Sequence, residues 1–162
     1  MSFRTPIANT NFSADLSAGF SPLLSLVYVS ASSHLMSDDE LEAILRTSRE
    51  NNSEVGLTGM LLYYDGAFMQ VLEGREETVR QTYARINQDP RHHTIIPLLQ
   101  EYIPQRNFAD WSMAYHRLQR DDMAQVEGFT RLAEADAFLD YFRQTPQRSL
   151  TLLKTFRKQY RG

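Results

Sequence analysis

LTGMLLYYDGAFMQVLEG, running from Leu57 to Gly74, reads as two strands joined at Asp65-Gly66. An Asp-Gly pair between alternating apolar runs marks a two-residue hairpin, because both central residues must adopt positive φ. The turn sets the register: Tyr64 opposite Ala67, Tyr63 opposite Phe68, Leu62 opposite Met69 and Leu61 opposite Gln70. Side chains alternate across a strand. One face therefore takes Gly59, Leu61, Tyr63, Phe68, Gln70 and Leu72, and the other takes Thr58, Met60, Leu62, Tyr64, Ala67, Met69 and Val71. Gln70 is thus a primary amide inside an apolar row. Left without partners there, it would cost on the order of 1–3 kcal/mol, so its partners are the central question.

Upstream, Leu23 to Ser30 reads as a strand with Leu24, Leu26, Tyr28 and Ser30 on one face. Ser37-Asp38-Asp39-Glu40 is a capping box. The helix it opens carries Leu41, Ile44, Leu45 and Ser48 at i, i+3, i+4, i+7 spacing and is expected to end near Asn51-Asn52. Downstream, Glu76 and Glu77 suit the first turn of a second helix, with Val79, Tyr83 and Ile86 inward and Asp89-Pro90 as its stop. Arg91-His92-His93 follows as a small basic loop. Ile95 to Ile103 is a strand that Pro97 pushes toward an edge, Arg106-Asn107-Phe108 a connection, and Trp111 to Leu118 a last strand. Its alternation puts Trp111 and Met113 on one face.

The order βαββαββ predicts an α+β, ferredoxin-like sheet in which the first and third strands are neighbours. That brings Tyr28 beside Gln70. The first two helices cover one face only. The second face of the hairpin is equally apolar, so two C-terminal helices, Ala133 to Arg143 and Ser149 to Tyr160, or another subunit, must cover it. The expected organisation is an N-terminal extension over 1–22, a sensor-sized domain over 23–118, and a helical cap or output segment over 119–162.

With 162 residues, 42% hydrophobic and 23% charged, the chain is an ordinary globular one. A net charge of −3 and a pI near 5.8 speak against direct nucleic-acid binding. The absence of cysteine excludes a disulfide framework, a thiolate nucleophile, a zinc knuckle and an iron–sulfur site. The four histidines have no carboxylate spacing that completes a metal site. No apolar run suits a membrane span and no secretory leader is legible, so a cytoplasmic protein is expected.

Taken separately, Tyr28, Gln70 and Asn52 are a core tyrosine, a satisfied core amide and a helix cap. Taken together, they can hold a polar ring. Asn52 could bind an edge offering N–H beside C=O, and Gln70 could link that ring to the Tyr28 hydroxyl.

Leu26-Val27-Tyr28-Val29-Ser30, Asn51-Asn52 with Gly56-Leu57-Thr58-Gly59, Phe68 to Gly74, Asp89-Pro90-Arg91-His92-His93 and Trp111-Ser112-Met113 together resemble the BLUF domain, a blue-light sensor that uses FAD. The resemblance implies non-covalent FAD, with FMN or riboflavin as alternatives. It implies that Tyr28 gives an electron and a proton on illumination, and that Gln70 changes its hydrogen bonds by rotation, tautomerisation or both. A reversible red-shifted state follows. Asn52 resembles the residue on the ring edge, with Asn51 beside it. Ile44, Phe68 and Ile86 resemble apolar ring contacts, and Arg91 and His92 the polar groups on the ribityl–phosphate side. Ser30, Trp111 and Met113 resemble signal-relay residues, although Trp111 and Met113 also read as plain core. The implied protein is not an enzyme. It would signal through an unknown protein partner or a homo-oligomer, since the residues after Leu118 are too few for a cyclase. The alternatives are a flavin- or ligand-binding regulatory module without a photocycle, and an acylphosphatase-like hydrolase. The latter wants an arginine that the loop Ala31-Ser32-Ser33-His34 lacks.

Overall fold

The computed structural model describes residues 22–124 and 135–157. The elements run β1 (Leu23–Ser32), α1 (Asp38–Val55), β2 (Thr58–Tyr64), β3 (Ala67–Arg75), α2 (Glu76–Asn87), β4 (His92–Ile103), β5 (Ala114–Arg117), α3 (Arg120–Ala124), α4 (Ala135–Gln144) and α5 (Pro146–Arg157). The strands form one sheet in the order β4-β1-β3-β2-β5, antiparallel except for the β2–β5 pair. This is the ferredoxin-like arrangement with one added edge strand.

The hairpin forms as its turn dictates. Asp65 and Gly66 have φ of 46° and 93°, and all four pairs expected from the turn are present. Tyr28 lies directly opposite Gln70. Pro97, without an N–H, sits on the edge strand β4 at a point where its register with β1 slips.

Alternation splits the core in two. Leu24, Leu26, Tyr28, Leu61, Tyr63, Phe68 and Leu72 pack under Leu41 and Leu45 of α1 and Val79 of α2. Val27, Val29, Met60, Leu62, Met69 and Val71 pack against Phe138, Leu139 and Phe142 of α4 and Leu152, Leu153 and Phe156 of α5. The C-terminal helices, rather than a second subunit, cover the far face. Full burial of such a side chain is worth about 1.5–3 kcal/mol, so the cap is part of the fold.

Glu73, buried at the far end of β3, organises the connection between β4 and β5. Its carboxylate accepts from the Asn107 N–H (3.0 Å), the Phe108 N–H (2.8 Å) and the Asn107 Nδ2 (3.3 Å). Arg157 of α5 donates to the Asn107 carbonyl (2.6 Å) and lies over the Phe108 ring.

Five expectations need correcting. Helix α1 runs a turn past Asn51-Asn52, because Gly56, at φ 73°, provides the left-handed cap and donates to the Asn52 carbonyl. Strand β4 begins at His92 and α5 at Pro146, both earlier than the spacing suggested. Strand β5 is only Ala114–Arg117, so Trp111 and Met113 precede it. They also do not share a face: Trp111 packs against the core under α4 and α5, while Met113 belongs to the core under α1 and α2. The N-terminal extension to residue 21, the first residues of the helix predicted from Ala133, and the end of the last helix beyond Arg157 lie outside the described residues.

Candidate functional site

A cleft of about 200 Å³ opens between α1 and α2 over the sheet. Its α1 wall is Ile44, Thr47, Ser48, Asn51 and Asn52, one helix face at i, i+3, i+4, i+7, i+8. Its α2 wall is Thr82, Arg85 and Ile86, at i, i+3, i+4, continued by Asp89 just past the helix end. The floor is Tyr28, Leu61, Phe68, Gln70 and Leu72, and Arg91 and His92 close one side.

At the floor, the Tyr28 hydroxyl donates to Gln70 Oε1 at 2.5 Å. The residues are 3% and 5% exposed, so no bulk water competes for this bond. The Tyr28 ring rests against Tyr83, with centroids 5.5 Å apart. Burial, seconded by Tyr83 and Asp89, pushes the Tyr28 phenol well above its ordinary pKa, so it remains protonated. Gln70 Nε2 donates to Met113 Sδ at 3.4 Å. The amide thus has a phenol on one end and a thioether on the other, and every buried side-chain polar atom among the described residues has a partner.

Asn52, 4% exposed, donates from Nδ2 to the Ser112 carbonyl at 2.9 Å. It also lines the cleft, and its carboxamide carries both an acceptor and donors. His92 is held at both nitrogens: Nε2 donates to the Ile86 carbonyl at 2.7 Å, and Nδ1 meets Ser30 Oγ at 2.9 Å. A carbonyl only accepts, which fixes the proton on Nε2. Ser30 therefore stands behind His92 rather than in the cleft. Arg91 is paired with Asp89, Nη2 lying 2.6 Å from Oδ2. That neighbour holds the Asp89 carboxyl below its usual range.

All nine residues expected around a cofactor, Tyr28, Ile44, Asn51, Asn52, Phe68, Gln70, Ile86, Arg91 and His92, line this one cleft. Two of them differ from expectation in detail. His92 has no free nitrogen, and the Arg91 charge is matched by a carboxylate two residues away. Sequence reading missed Thr47, Thr82 and Arg85 as cleft residues and took Ser48 only as helix packing. Each follows from the helical periodicity of a neighbour already named.

The residues fit a flavin. Ile44 and Ile86 on the walls and Leu61, Phe68 and Leu72 on the floor offer apolar contacts to the faces of a planar ring, and three amides, each donor and acceptor, suit an edge that mixes N–H and C=O.

Comparison with known proteins agrees. The family model described as "BLUF: Sensors of blue-light using FAD" matches residues 23–114. The chain is 35% identical over 132 residues to the "Blue light- and temperature-regulated antirepressor BluF" of Escherichia coli (strain K12), covering 75% of this chain and 32% of that protein. It is 38% identical over 96 residues to "Photoactivated adenylate cyclase subunit beta" of Euglena longa, covering 59% of this chain and 11% of that protein. The chain thus spans at most a third of the length of either relative. Among solved structures, "BlsA photo-activated state" superposes with a TM-score of 0.65 at 28% identity, over 83% of this chain and 94% of that one. "BlrB - a BLUF protein, dark state structure" superposes with a TM-score of 0.60 at 29% identity, over 75% and 98%. Sheet order, paired Tyr28 and Gln70, amide-lined cleft and family match lead to one conclusion: the chain belongs to the BLUF family, the sensors of blue light that use FAD.

Proposed function

We propose that the protein is a blue-light photoreceptor that holds FAD non-covalently in the α1–α2 cleft, with Tyr28 and Gln70 as its photoactive pair. The observation that carries this is the Tyr28–Gln70 hydrogen bond at the cleft floor, in a chain whose family senses blue light. FMN or riboflavin would satisfy the same ring contacts. The bound flavin supplies the absorber and the electron acceptor.

Everything else falls to the chain. Asn52, with Asn51 beside it, holds the ring edge, and Ile44, Phe68 and Ile86 flank its faces. Tyr28, kept protonated by burial, gives an electron, and its proton already lies on the hydrogen bond to Gln70 Oε1. Gln70 is the reporter. Of the two routes, rotation exchanges Oε1 and Nε2 whereas tautomerisation leaves an N–H in place; rotation would set an acceptor against Met113 Sδ, and a thioether cannot donate. The Met113 contact must then break. A change confined to one amide thereby becomes a change in the segment preceding β5, which is how a switch biases a two-state element.

Ser30 acts one step back, through His92. Trp111 reports the same segment on the opposite face, where it touches the core of the cap. The intended working unit is 23–118 as sensor and 119–162 as cap and output, acting in the cytoplasm without catalysis of its own and signalling through a protein partner or a homo-oligomer.

The test is illumination of the flavin-loaded protein. A reversible shift of flavin absorbance to longer wavelength, lost in Tyr28→Phe and Gln70→Leu while both still bind flavin, is the expected result. An unchanged spectrum would leave a flavin-binding module without a photocycle.

A further inference from the structure

Three consecutive carbonyls, those of Trp111, Ser112 and Met113, lie just before β5, and each is held by a different donor. The Gly59 N–H of β2 donates to Trp111 O at 3.2 Å. Asn52 Nδ2 donates to Ser112 O at 2.9 Å, and Arg49 Nε donates to Met113 O at 2.9 Å. Arg49 and Asn52 are three apart on α1 and so project from one helix face. The segment has no strand ladder of its own here, since β5 begins at Ala114. Its path is therefore dictated largely by these two side chains.

That path decides where the Met113 side chain goes. Its sulfur meets Gln70, and its terminal methyl lies 3.3 Å from the point a Cβ on Gly59 would occupy. Arg49 does not line the cleft. Its link to the photoactive amide runs through Met113.

We propose that Arg49 is a positioning residue: its guanidinium clamps the Met113 carbonyl in the register that presents the sulfur to Gln70, and so favours the dark arrangement. This rests on the light-sensor reading of the cleft for its kinetic consequence, but not for its geometry. A signalling state that moves Met113 must release the clamp or drag α1 with it. Losing the clamp therefore raises the dark arrangement relative to the displaced one, and thermal return should slow. The bond involves a charged donor at a half-buried site, a class strong enough to bias an equilibrium by about tenfold.

The experiment compares Arg49→Ala and Arg49→Lys with the wild type, using methyl-labelled methionine and Met113→Leu to assign the Met113 signal. In the flavin-free protein, Arg49→Ala should shift or broaden the Met113 methyl resonance and leave that of Met69, across the sheet, unchanged. In the flavin-loaded protein, the dark spectrum and flavin affinity should stay as in the wild type, while recovery after a flash slows by about tenfold. Arg49→Lys, which keeps a charged donor on a long stem, should restore part of both. Unchanged or faster recovery, an unmoved Met113 signal, a lysine variant no better than alanine, or a general loss of fold and flavin affinity would each overturn the proposal. If the wild type shows no photocycle, the flavin-free methionine spectra still decide whether the clamp exists.

Discussion

The Tyr28–Gln70 bond can be weighed by a double-mutant cycle in the flavin-free protein. Tyr28→Phe removes the donor and leaves Gln70 Oε1 buried without its partner, while Nε2 keeps Met113. An orphaned buried acceptor plus one lost bond amounts to about 1–2 kcal/mol. Gln70→Leu conserves volume, so no large cavity opens, but it strands the Tyr28 hydroxyl at 3% exposure. The stranded donor costs about 1–3 kcal/mol, partly offset by the apolar gain of leucine. In Tyr28→Phe with Gln70→Leu, neither partner remains to be stranded, and replacing both by apolar groups of similar shape is close to neutral. Each single variant should therefore lose about 1–2 kcal/mol, the pair no more than about 1, and the coupling should be at least about 1 and up to about 3 kcal/mol. Urea unfolding at pH 7 measures it; thermal midpoints should fall by about 2–4 °C per kcal/mol. Additivity within about 0.5 kcal/mol would refute a direct bond in solution, and with it the proposed route of the Tyr28 proton.

Gly59→Ala should fail to fold or lose more than about 3 kcal/mol, because its Cβ would fall 2.0 Å from the Val71 carbonyl oxygen, a backbone atom that cannot yield; a soluble variant of normal thermal midpoint would contradict the packing. Ending the chain at Leu118 should expose Val27, Val29, Met60, Leu62, Met69 and Val71 and give an aggregating product by light scattering, whereas a monodisperse and stable fragment would make the cap dispensable. Leu153→Ala, in the fully buried core of the cap, should cost about 2–5 kcal/mol in urea unfolding. Burial raises the Glu73 pKa above its ordinary value, against the lowering pull of the Asn107 and Phe108 N–H groups. An acid shifted upward costs nothing while protonated in both states, and its cost grows as pH rises from the unfolded value through the folded one. The wild type should thus lose stability relative to Glu73→Gln between about pH 4 and neutrality, and a gap that is flat or of opposite slope would show the donors outweighing burial.

Much of the site was readable in the chain because a two-residue turn leaves the hairpin a single register. Once Asp65-Gly66 is placed, the neighbouring of Tyr28 and Gln70 follows from topology, and the apolar second face demands a cover. What escaped reading had local causes. Alternation presumes extended backbone, and the segment from Trp111 to Met113 leaves the ladder because side chains of α1 take its carbonyls. The Asn51-Asn52 pair looked like a helix end, yet Gly56, able to adopt positive φ, outcompeted it. Arg91 looked available to an anion, but its choice of Asp89 depends on loop geometry that spacing does not express.

The hairpin carries one more consequence, which concerns deletions. Between the turn and Gln70 stand only Ala67, Phe68 and Met69. Loss of any one of them would rotate the remainder of β3 by a half-turn, sending the carboxamide toward the core under α4 and α5 and bringing Val71 opposite the phenol. Descendants of this chain can therefore vary the composition of that tripeptide far more freely than its length, and a photoreceptor lineage should tolerate many spellings there but no frame of two or four.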